Sequence, residues 1–450
     1  MPQNEENSME MLKKAQKMLE EHPLCDHCLG RQFALLGYGM DDQKRGETLK
    51  LLLTMKNHQL ALSGKRAGFS NLRILAANGS FEMAAEILRN MRKRARKKKE
   101  CYLCQGLFKS LDKLVGNALE KMEDHEYANF LVGIELPTAI EEREDEFKAS
   151  FEVGYGESMR NEFSRDIGKK IAAVTKKPAE YKKPDVVVLV RPFTGEVIFQ
   201  SNPLYVRGAY KKLVRGIPQS RWFCRSCRGE GCPKCNGTGK MYSESVEEII
   251  AGPLLEKTGG EDVAFHAAGR EDVDARMLGT GRPFIMEVKK PRRRFIDLQS
   301  LTELVNKQAR GKVEVLNLRS ASKDDVRRLK KAEASAKIYK VLIDFDRDVS
   351  DEELETIKKT LAKAVIHQQT PLRVLHRRAD LIREKYIYET QIKRLAPNRA
   401  EMKIRCQGGL YIKELISGDE GRTDPSIATI INVEAKPLEL DVLKVIMEKS

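Results

Sequence analysis

Eight of the nine cysteines of this chain occur in four C-x-x-C pairs, which begin at residues 25, 101, 224 and 232. The spacing places two thiolates on one tight turn, where both can bind the same tetrahedral metal ion. Because a site with four cysteine ligands needs two such pairs, the chain must fold so that each pair meets another pair. This requirement limits the possible folds more than any other feature of the sequence.

Two of the pairs lie close together and form a candidate metal site within one short loop. The spacing is C-x2-C-x4-C-x2-C, and the four ligands are Cys224, Cys227, Cys232 and Cys235. Thiolate ligands favour zinc, and a structural site with four cysteines needs no open position. The link of four residues is short, so an iron–sulfur cluster, or ligands shared with another pair, is an alternative.

The other two pairs, Cys25/Cys28 and Cys101/Cys104, are separated by 72 residues. Both lie in a region that we predict to be mostly helical, and we expect them to form a second zinc site. Both sites are interpreted as structural, since a catalytic zinc ion normally binds three protein ligands and water. Cys406 stands alone in a strand-like stretch and is expected to be a small buried hydrophobe.

Charge indicates the class of partner. The chain has 81 Lys and Arg against 66 Asp and Glu, a net charge of +15, and this surplus suits a polyanion because neutralised phosphates release counterions. Arg92–Lys99 has seven cations in eight positions; we expect it to extend a helix that begins after Ser80 and to contact phosphate. In Tyr205–Arg215, cations and aromatic residues alternate, which favours either RNA binding or a basic surface helix.

Length and composition allow two to four domains with buried cores, since the chain has 450 residues of which 41% are hydrophobic. We predict a helical zinc-binding region over residues 1–125, an RNA-binding region with the four-cysteine loop over residues 126–240, and a catalytic domain over residues 241–450. No apolar run reaches the ~18 residues of a membrane span, and the N-terminus has no features of a secretory signal. We therefore expect a cytoplasmic protein that does not bind membranes and has no disulfide bonds.

The predicted RNA-binding region has a mixed pattern of strands and helices. Residues 130–134 are a predicted strand, and residues 186–190 and 197–199 are predicted to form a hairpin. Between them, a predicted helix repeats apolar residues at every fourth position, namely Met159, Phe163, Ile167 and Ile171.

The segment 265–288 contains the clearest indication of catalysis. A predicted strand leads into a glycine-bearing loop within residues 269–284 that is rich in carboxylates and arginines, and a further strand over residues 285–288 leaves it. Arginines keep neighbouring carboxylates ionised and orient them, as a carboxylate nucleophile or general base requires. A surface loop of salt bridges is the alternative.

This loop resembles the Gly-Arg-x-Asp loop of pseudouridine synthases. Its continuation through Arg276, Gly279 and Gly281-Arg282-Pro283-Phe284 is similar to tRNA pseudouridine synthases of the Pus-ten type, and the four-cysteine loop at residues 224–235 resembles their archaeal branch. Four further blocks follow in the order of that family, at residues 338–343, 369–378, 409–415 and 421–427. Leu410 departs from the pattern, since Thr is more usual there.

The first half of the chain also resembles this family. The separated cysteine pairs and the segment Arg207–Trp222 are similar to its accessory domain, which includes a THUMP-like RNA-binding fold. The resemblance implies an α+β chain: a pseudouridine-synthase catalytic domain with a mixed, mainly antiparallel sheet and helices, preceded by a zinc-binding, THUMP-like α/β accessory domain.

The same resemblance implies the reaction, which is isomerisation of uridine to pseudouridine in the T-loop of tRNA at position 55 and, in archaea, also at position 54. It implies no organic cofactor, and we expect a monomer. Asp272 is the implied nucleophile, Arg270 is its loop partner and Lys413 is a cation paired with it. Asp274 is the competing candidate, and the resemblance leaves open whether the carboxylate attacks the sugar or the uracil ring.

Three further residues are implied to bind the substrate. Tyr339 would stack on the flipped uracil, Tyr411 would contact the substrate and Leu440 would form the floor of the pocket. Flipping is needed because a stacked base in a folded loop cannot be reached, and an aromatic ring offsets part of the lost stacking. The residue types alone allow Tyr339 and Leu440 to be core residues and Lys413 to be a surface cation.

Two other functions are alternatives to a pseudouridine synthase. The motif Cys-x-x-Cys-x-Gly-x-Gly also resembles the zinc repeats of DnaJ-type cochaperones, which makes a non-catalytic zinc-dependent RNA-binding protein or chaperone the alternative; the four spaced copies and the His-Pro-Asp tripeptide of that class are missing from the sequence. A THUMP-containing tRNA methyltransferase would need a glycine-rich loop between a strand and a helix. Here Gly279-Thr280-Gly281 leads into Arg282-Pro283 instead.

Overall fold

The computed structural model describes residues 2–331 and 334–446, and the chain divides into two compact units at Asn202/Pro203. Each unit has its own buried hydrophobic residues. Within the described residues, no helix is both long enough and apolar enough to cross a membrane.

The first unit is mostly helical, with a small sheet. Its helices are α1 (Pro2–Glu21), α2 (Asp26–Gly30), α3 (Asp42–Leu62), α4 (Arg66–Ala77), α5 (Glu82–Asn90), α6 (Leu111–Met122), α7 (Thr138–Ser150) and α8 (Met159–Thr175), and its strands are β1 (Phe130–Ile134), β2 (Val186–Arg191) and β3 (Glu196–Ser201). Polar side chains start the longer helices: Asp41 caps α3 by accepting from the Lys44 N–H, and Ser158 caps α8 by accepting from the Asn161 N–H.

The small sheet has the order β1-β2-β3. Strand β1 runs parallel to β2, and β2 pairs antiparallel with β3, as the predicted hairpin requires. The α8 side chains that repeat at every fourth position are fully buried, as predicted. This face lies in the same hydrophobic core as the alternating buried valines of β2. The helix and the sheet therefore form two packed layers.

The basic run Arg92–Lys99 differs from its prediction. Helix α5 ends at Asn90, Arg92 has a φ of 57°, and the following residues have no regular secondary structure. Seven cations in eight positions would place like charges three and four residues apart on a helix, where they repel one another. Repulsion between these like charges is the physical reason why α5 ends before the basic run instead of extending through it.

The second unit contains ten strands and six helices in its described residues. The strands are β4 (Leu204–Lys212), β5 (Asp262–Ala267), β6 (Arg276–Lys289), β7 (Val313–Ala321), β8 (Lys337–Phe345), β9 (Val365–Gln369), β10 (Ile382–Ala396), β11 (Arg399–Cys406), β12 (Thr423–Asp424) and β13 (Ala435–Val445). The helices are α9 (Val246–Thr258), α10 (Leu298–Gln308), α11 (Lys323–Lys331), α12 (Asp351–Leu361), α13 (Ile412–Ser417) and α14 (Ile427–Ile430).

These strands form one sheet in the order β12-β9-β10-β11-β8-β13-β6-β4-β7, with β5 paired to β6. The pairs are antiparallel except β13 and β6, which run parallel through Asp441 opposite Arg276 and Val442 opposite Met277. The mixed, mainly antiparallel sheet and the α+β class are thus confirmed. Cys406, at the end of β11, is fully buried in the core, as expected.

The boundary between the two compact units lies at Asn202/Pro203, whereas the sequence led us to expect the main boundary near residue 240. The reason is strand β4. It pairs antiparallel with both β6 and β7, so residues from 203 onward belong to the large sheet. Along β4 the side chains on one face are buried, namely those of Val206, Tyr210 and Lys212. Because this segment is a strand, the alternative of a basic surface helix is wrong. The assignment of residues 1–125, 126–240 and 241–450 to separate roles stays a prediction.

Candidate functional site

A cavity of about 820 Å³ opens in the second unit, beside the junction of β13, β6 and β8. Its wall includes the loop between β5 and β6, the start of β8 and the turn before α13. The six residues with implied catalytic or substrate-binding roles all line it, namely Arg270, Asp272, Tyr339, Tyr411, Lys413 and Leu440. The fold thus brings together residues that are up to 170 positions apart in the sequence.

Asp272 lies between two cations. Its Oδ2 is 3.1 Å from Nη1 of Arg373 and 3.5 Å from Nζ of Lys413, and its side chain is about one-third exposed. Lys413 lies closer to Asp274, at 2.6 Å from Oδ2. The Asp274 side chain is 67% exposed, and although its partial burial raises its pKa, the hydrogen bond and charge of Lys413 hold that pKa below the ordinary value. Lys413 therefore contacts both carboxylates and binds Asp274 more directly than expected.

Arg373 is the cation that the sequence did not single out, although it lies within the matched block 369–378. Its Nε is 2.5 Å from Oε1 of Glu414, which is almost fully buried. Burial lowers the pKa of Arg373, but the carboxylates of Glu414 and Asp272 raise it by more, so the pKa lies above its ordinary value and the guanidinium stays charged. Glu414 thus fixes one edge of the guanidinium while the other edge faces Asp272.

A buried polar network supports the loop from below. Glu271 is 5% exposed and accepts hydrogen bonds of 2.9 Å from Oη of Tyr210 and 2.8 Å from Nε of Arg282. Gln219 donates to Oη of Tyr210 at 2.7 Å and to the carbonyl of Gly269 at 3.0 Å. Glu271, which lies between Arg270 and Asp272 and had no role assigned from the sequence, is therefore the anchor of the loop.

Lys212, at the end of β4, holds the backbone of the loop. The residue is fully buried, and its Nζ donates to the carbonyl oxygens of Ile217 at 2.8 Å, Asp272 at 2.9 Å and Val273 at 3.1 Å. Two of these three acceptors belong to Asp272 and its neighbour. The chain turn after β4 and the carboxylate loop are consequently joined through one ammonium group.

Burial lowers the pKa of Lys212 to about 8. The carboxylates of Glu271, Asp274 and Asp272 oppose this effect, and the guanidinium of Arg282 adds to it. Nothing in the sequence indicated this role, because the three carbonyl acceptors lie on segments up to 61 residues away.

The aromatic and apolar residues form the rest of the cavity wall. Tyr339 on β8 lies opposite Val442 on β13 and is half-buried, and burial raises its pKa above the ordinary value. Leu440 is 8% exposed, and its role as the floor of the pocket stays a prediction. Tyr411 precedes α13, and Gln368 fixes its backbone by accepting from its N–H at 2.8 Å and donating to its carbonyl at 3.0 Å.

Arg270 is exposed at the rim of the cavity. Its guanidinium lies over the ring of Trp222, at 5.0 Å from the ring centroid. Trp222 also lines the cavity and contacts Tyr242 edge to face, with 5.6 Å between the ring centroids. Arg270 thus joins the carboxylate loop to the segment that enters the four-cysteine loop.

In each of the two predicted cysteine sets, the structure brings the four side chains together. Within each set the four Sγ atoms lie within 4.8 Å of one another. The Sγ–Sγ distances are 3.6 Å for Cys25 and Cys104, and 3.7 to 3.9 Å for three pairs in the loop at 224–235. A tetrahedron with metal–sulfur bonds of 2.3 Å has edges of about 3.8 Å. The donor atoms of both sets therefore fit a metal such as zinc.

The surroundings of each set suit thiolate ligands. In the first unit, fully buried Arg31 donates to Sγ of Cys28 at 3.5 Å and is ion-paired with Glu144 and Glu162. In the second unit, backbone N–H groups of Gly231, Cys232 and Gly239 donate to Sγ atoms at 3.2 Å. Four thiolates around a divalent ion carry a net negative charge, which these donors stabilise.

Comparison with known proteins gives consistent matches. The family described as "Pus10, C-terminal" matches residues 205–446, and "Pus10 THUMP domain, archaeal" matches residues 114–191. The chain is 43% identical to the tRNA pseudouridine synthase Pus10 of Methanocaldococcus jannaschii over 438 residues, which are 95% of this chain and 93% of that protein. Proteins of the same name from Methanothrix thermoacetophila and Thermofilum pendens are 40% and 38% identical; the alignments cover 97% and 98% of this chain, and 94% and 96% of those proteins.

Proposed function

This chain belongs to the Pus10 family of tRNA pseudouridine synthases, and from that premise we propose that it isomerises uridine in the T-loop of tRNA, at position 55 and also at position 54. The observation that carries the proposal is the cavity, because it gathers the six residues implied by the family resemblance around Asp272. The archaeal THUMP match over residues 114–191 supports RNA as the substrate.

We assign the role of nucleophile to Asp272. Arg373 and Lys413 both lie within 3.5 Å of its carboxylate, and two cations at these distances orient the carboxylate, as a nucleophile needs. Asp274 is more exposed and is held by Lys413 at 2.6 Å. Asp272 therefore faces the cavity with a reactive carboxylate, while Asp274 fixes the position of Lys413.

Isomerisation replaces the N1–C1′ glycosidic bond of uridine with a C5–C1′ bond and moves the proton from C5 to N1. Asp272 would either attack C1′ of the ribose and displace N1, or add to C6 of the ring across the C5=C6 double bond. The freed base turns before the C5–C1′ bond forms, and the bond to Asp272 is broken again in the course of the reaction. Tyr339 would stack on the flipped base and Leu440 would support it, which offsets part of the lost stacking in the RNA. Tyr411 would contact the substrate beside Arg373.

We propose that both four-cysteine sets bind structural zinc. The Sγ–Sγ distances fit a tetrahedral ion, and four cysteines leave no position for a reacting water. The residues that line the cavity include no member of either set, so we place both proposed ions away from the reacting atoms.

The test is incubation of the purified protein with unmodified tRNA transcripts, followed by chemical mapping of pseudouridine. We expect pseudouridine at positions 54 and 55 of the T-loop. A transcript with cytidine at both positions is the matched control and should stay unmodified. Binding of tRNA without any pseudouridine would instead support the alternative of a non-catalytic zinc-dependent RNA-binding protein.

A further inference from the structure

The four-cysteine loop of the second unit is closed by a short ladder that begins at Trp222. The N–H of Met241 donates to the carbonyl of Trp222 at 2.9 Å, Phe223 pairs with Lys240 in an antiparallel bridge, and the N–H of Cys224 donates to the carbonyl of Gly239 at 2.7 Å. The ladder continues directly from the metal ligands. Any change in the loop is therefore transmitted to Trp222 over two residues.

Besides the cysteines, backbone hydrogen bonds and an ion pair of Lys240 with Glu248 hold the loop, and its hydrophobic core is very small. Its glycines at 229, 231, 237 and 239 all have positive φ, and Gly231 and Gly239 pack so closely on neighbouring backbone that a Cβ atom would clash. Cys224 and Cys235 are its only buried hydrophobic residues among those described from 223 to 241. A loop with so small a core depends on its metal ion for a defined structure.

At the other end of the ladder, Trp222 lies in the wall of the cavity. It carries the guanidinium of Arg270 on its ring and packs against Tyr242. Arg270 is two residues from Asp272 in the loop that holds the proposed nucleophile. The contacts thus form a continuous path from the four thiolates to the mouth of the cavity.

We propose that the metal ion in the four-cysteine loop positions Trp222, and through it Arg270, so that occupancy of this site sets the rate of turnover as well as local stability. This inference rests on the proposed function of the cavity. Trp222 is a positioning residue in this scheme, because it acts through Arg270. The cysteine set of the first unit is packed in the hydrophobic core of that unit, and the proposal does not extend to it.

Trp222 is the only tryptophan of the chain, so its fluorescence reports this path without labels. Removing the metal with a chelator should shift the emission to the red and lower its anisotropy, and adding zinc should reverse both changes. The variant Cys227→Ser/Cys232→Ser should show the metal-free emission from the start and should not respond to zinc. These readouts do not depend on turnover, and an emission that is the same with and without metal would overturn the proposal.

Turnover gives the second arm of the test. The variant Cys227→Ser/Cys232→Ser should lower kcat by about 10-fold with less than about a 2-fold change in the dissociation constant of tRNA, as a displaced positioning group would. Arg270→Ala should lower kcat similarly, and the combined variant should be no slower than either one, because both act on the same contact. Multiplied losses in the combined variant, or an unchanged kcat in the loop variant, would overturn the proposal.

Two failures can be told apart in this design. If the wild-type protein makes no pseudouridine, the proposed function is wrong, and the fluorescence still measures whether the metal positions Trp222. If the wild type is active and the loop variant is slow only because it unfolds, its melting temperature falls below the assay temperature. In that case the reversible removal of metal from the wild type, followed by both fluorescence and turnover, decides the question.

Discussion

Among single residues, Asp272 and Asp274 differ in what surrounds them. We predict that Asp272→Asn lowers kcat by roughly three or more orders of magnitude with little change in tRNA affinity, because the amide keeps the shape but is not a nucleophile. Asp274→Asn should have a smaller effect, through the position of Lys413. Single-turnover rates with saturating enzyme are the measurement. Normal turnover in Asp272→Asn combined with its loss in Asp274→Asn would reverse the two roles.

We expect Lys212 to make the turnover rate fall at alkaline pH. Its pKa of about 8 lies below the ordinary value of 10.5, so it loses its proton as the pH rises through 8 and its amine can no longer donate to all three carbonyls. We predict that kcat falls above about pH 8 in the wild type. Lys212→Met should lower kcat by about 10- to 100-fold at pH 7 and remove that limb, since a displaced loop misplaces the carboxylate.

The change in the free energy of unfolding with pH distinguishes the loss of the Lys212 proton from unfolding of the protein. Between pH 8 and 10.5 the unfolded chain binds the Lys212 proton more tightly than the folded chain, so this group raises the free energy of unfolding as turnover falls. Val305→Ala, in the same hydrophobic core, is the matched control and should lower the melting temperature while keeping kcat and the alkaline limb. A Lys212→Met profile that matches this control would show a purely structural role.

For the secondary-structure elements, the two cysteine sets should contribute differently to stability. Cys28 and Cys104 are fully buried among the hydrophobic residues of the first unit, whereas Cys227 and Cys232 are only half-buried in a loop. We predict two zinc ions per chain, and a loss of more than about 10 °C in melting temperature for Cys28→Ser, several times the loss for Cys227→Ser. Metal analysis should find one remaining ion in each variant. Iron in either site, or equal losses, would contradict the assignment.

The elements also show what the sequence could and could not predict. The hairpin of β2 and β3, the buried face of α8 and the two cysteine sets were predictable, because each depends on local periodicity or on a ligand spacing. The end of α5 at Asn90 was not, because helical propensity competes with repulsion between like charges. The pairing of β4 with β6 and β7 depends on partners more than 60 residues away.

The same limit applies to the candidate site. The six residues with implied roles were named from motif positions, and all of them line the cavity. Arg373 and Lys212 were missed because their partners are carboxylates and carbonyl groups distant in the chain, which no spacing rule connects. Sequence motifs thus located the groups that face the cavity better than the groups that hold them in place.

For the whole molecule, the net charge of +15 predicts tRNA binding that weakens with salt. We predict that Arg92→Gln/Arg96→Gln/Lys99→Gln flattens the slope of log affinity against log salt by about two to three units, since each phosphate contact contributes close to one. These three side chains are exposed, and Lys98 is left in place because it pairs with Glu82 at 2.7 Å. The measurement is the dissociation constant of tRNA over a salt series.

A control with the same change in net charge comes from exposed lysines of the second unit on and after α12, at Lys358, Lys359 and Lys363. Replacing these three with Gln should change the slope by less than one unit. Parallel lines for the wild type and the variant at residues 92, 96 and 99 would show that the basic run does not touch RNA.

The position of β4 in the sheet also determines where the protein chain can be truncated. The strand lies between β6 and β7, although it precedes the four-cysteine loop in the sequence. A fragment that starts at residue 241 would leave the inner edges of β6 and β7 with unpaired N–H and carbonyl groups, which invite pairing with other chains. Such a fragment would accumulate as aggregates, and a peptide that carries Leu204–Lys212 would be the missing strand able to rescue it.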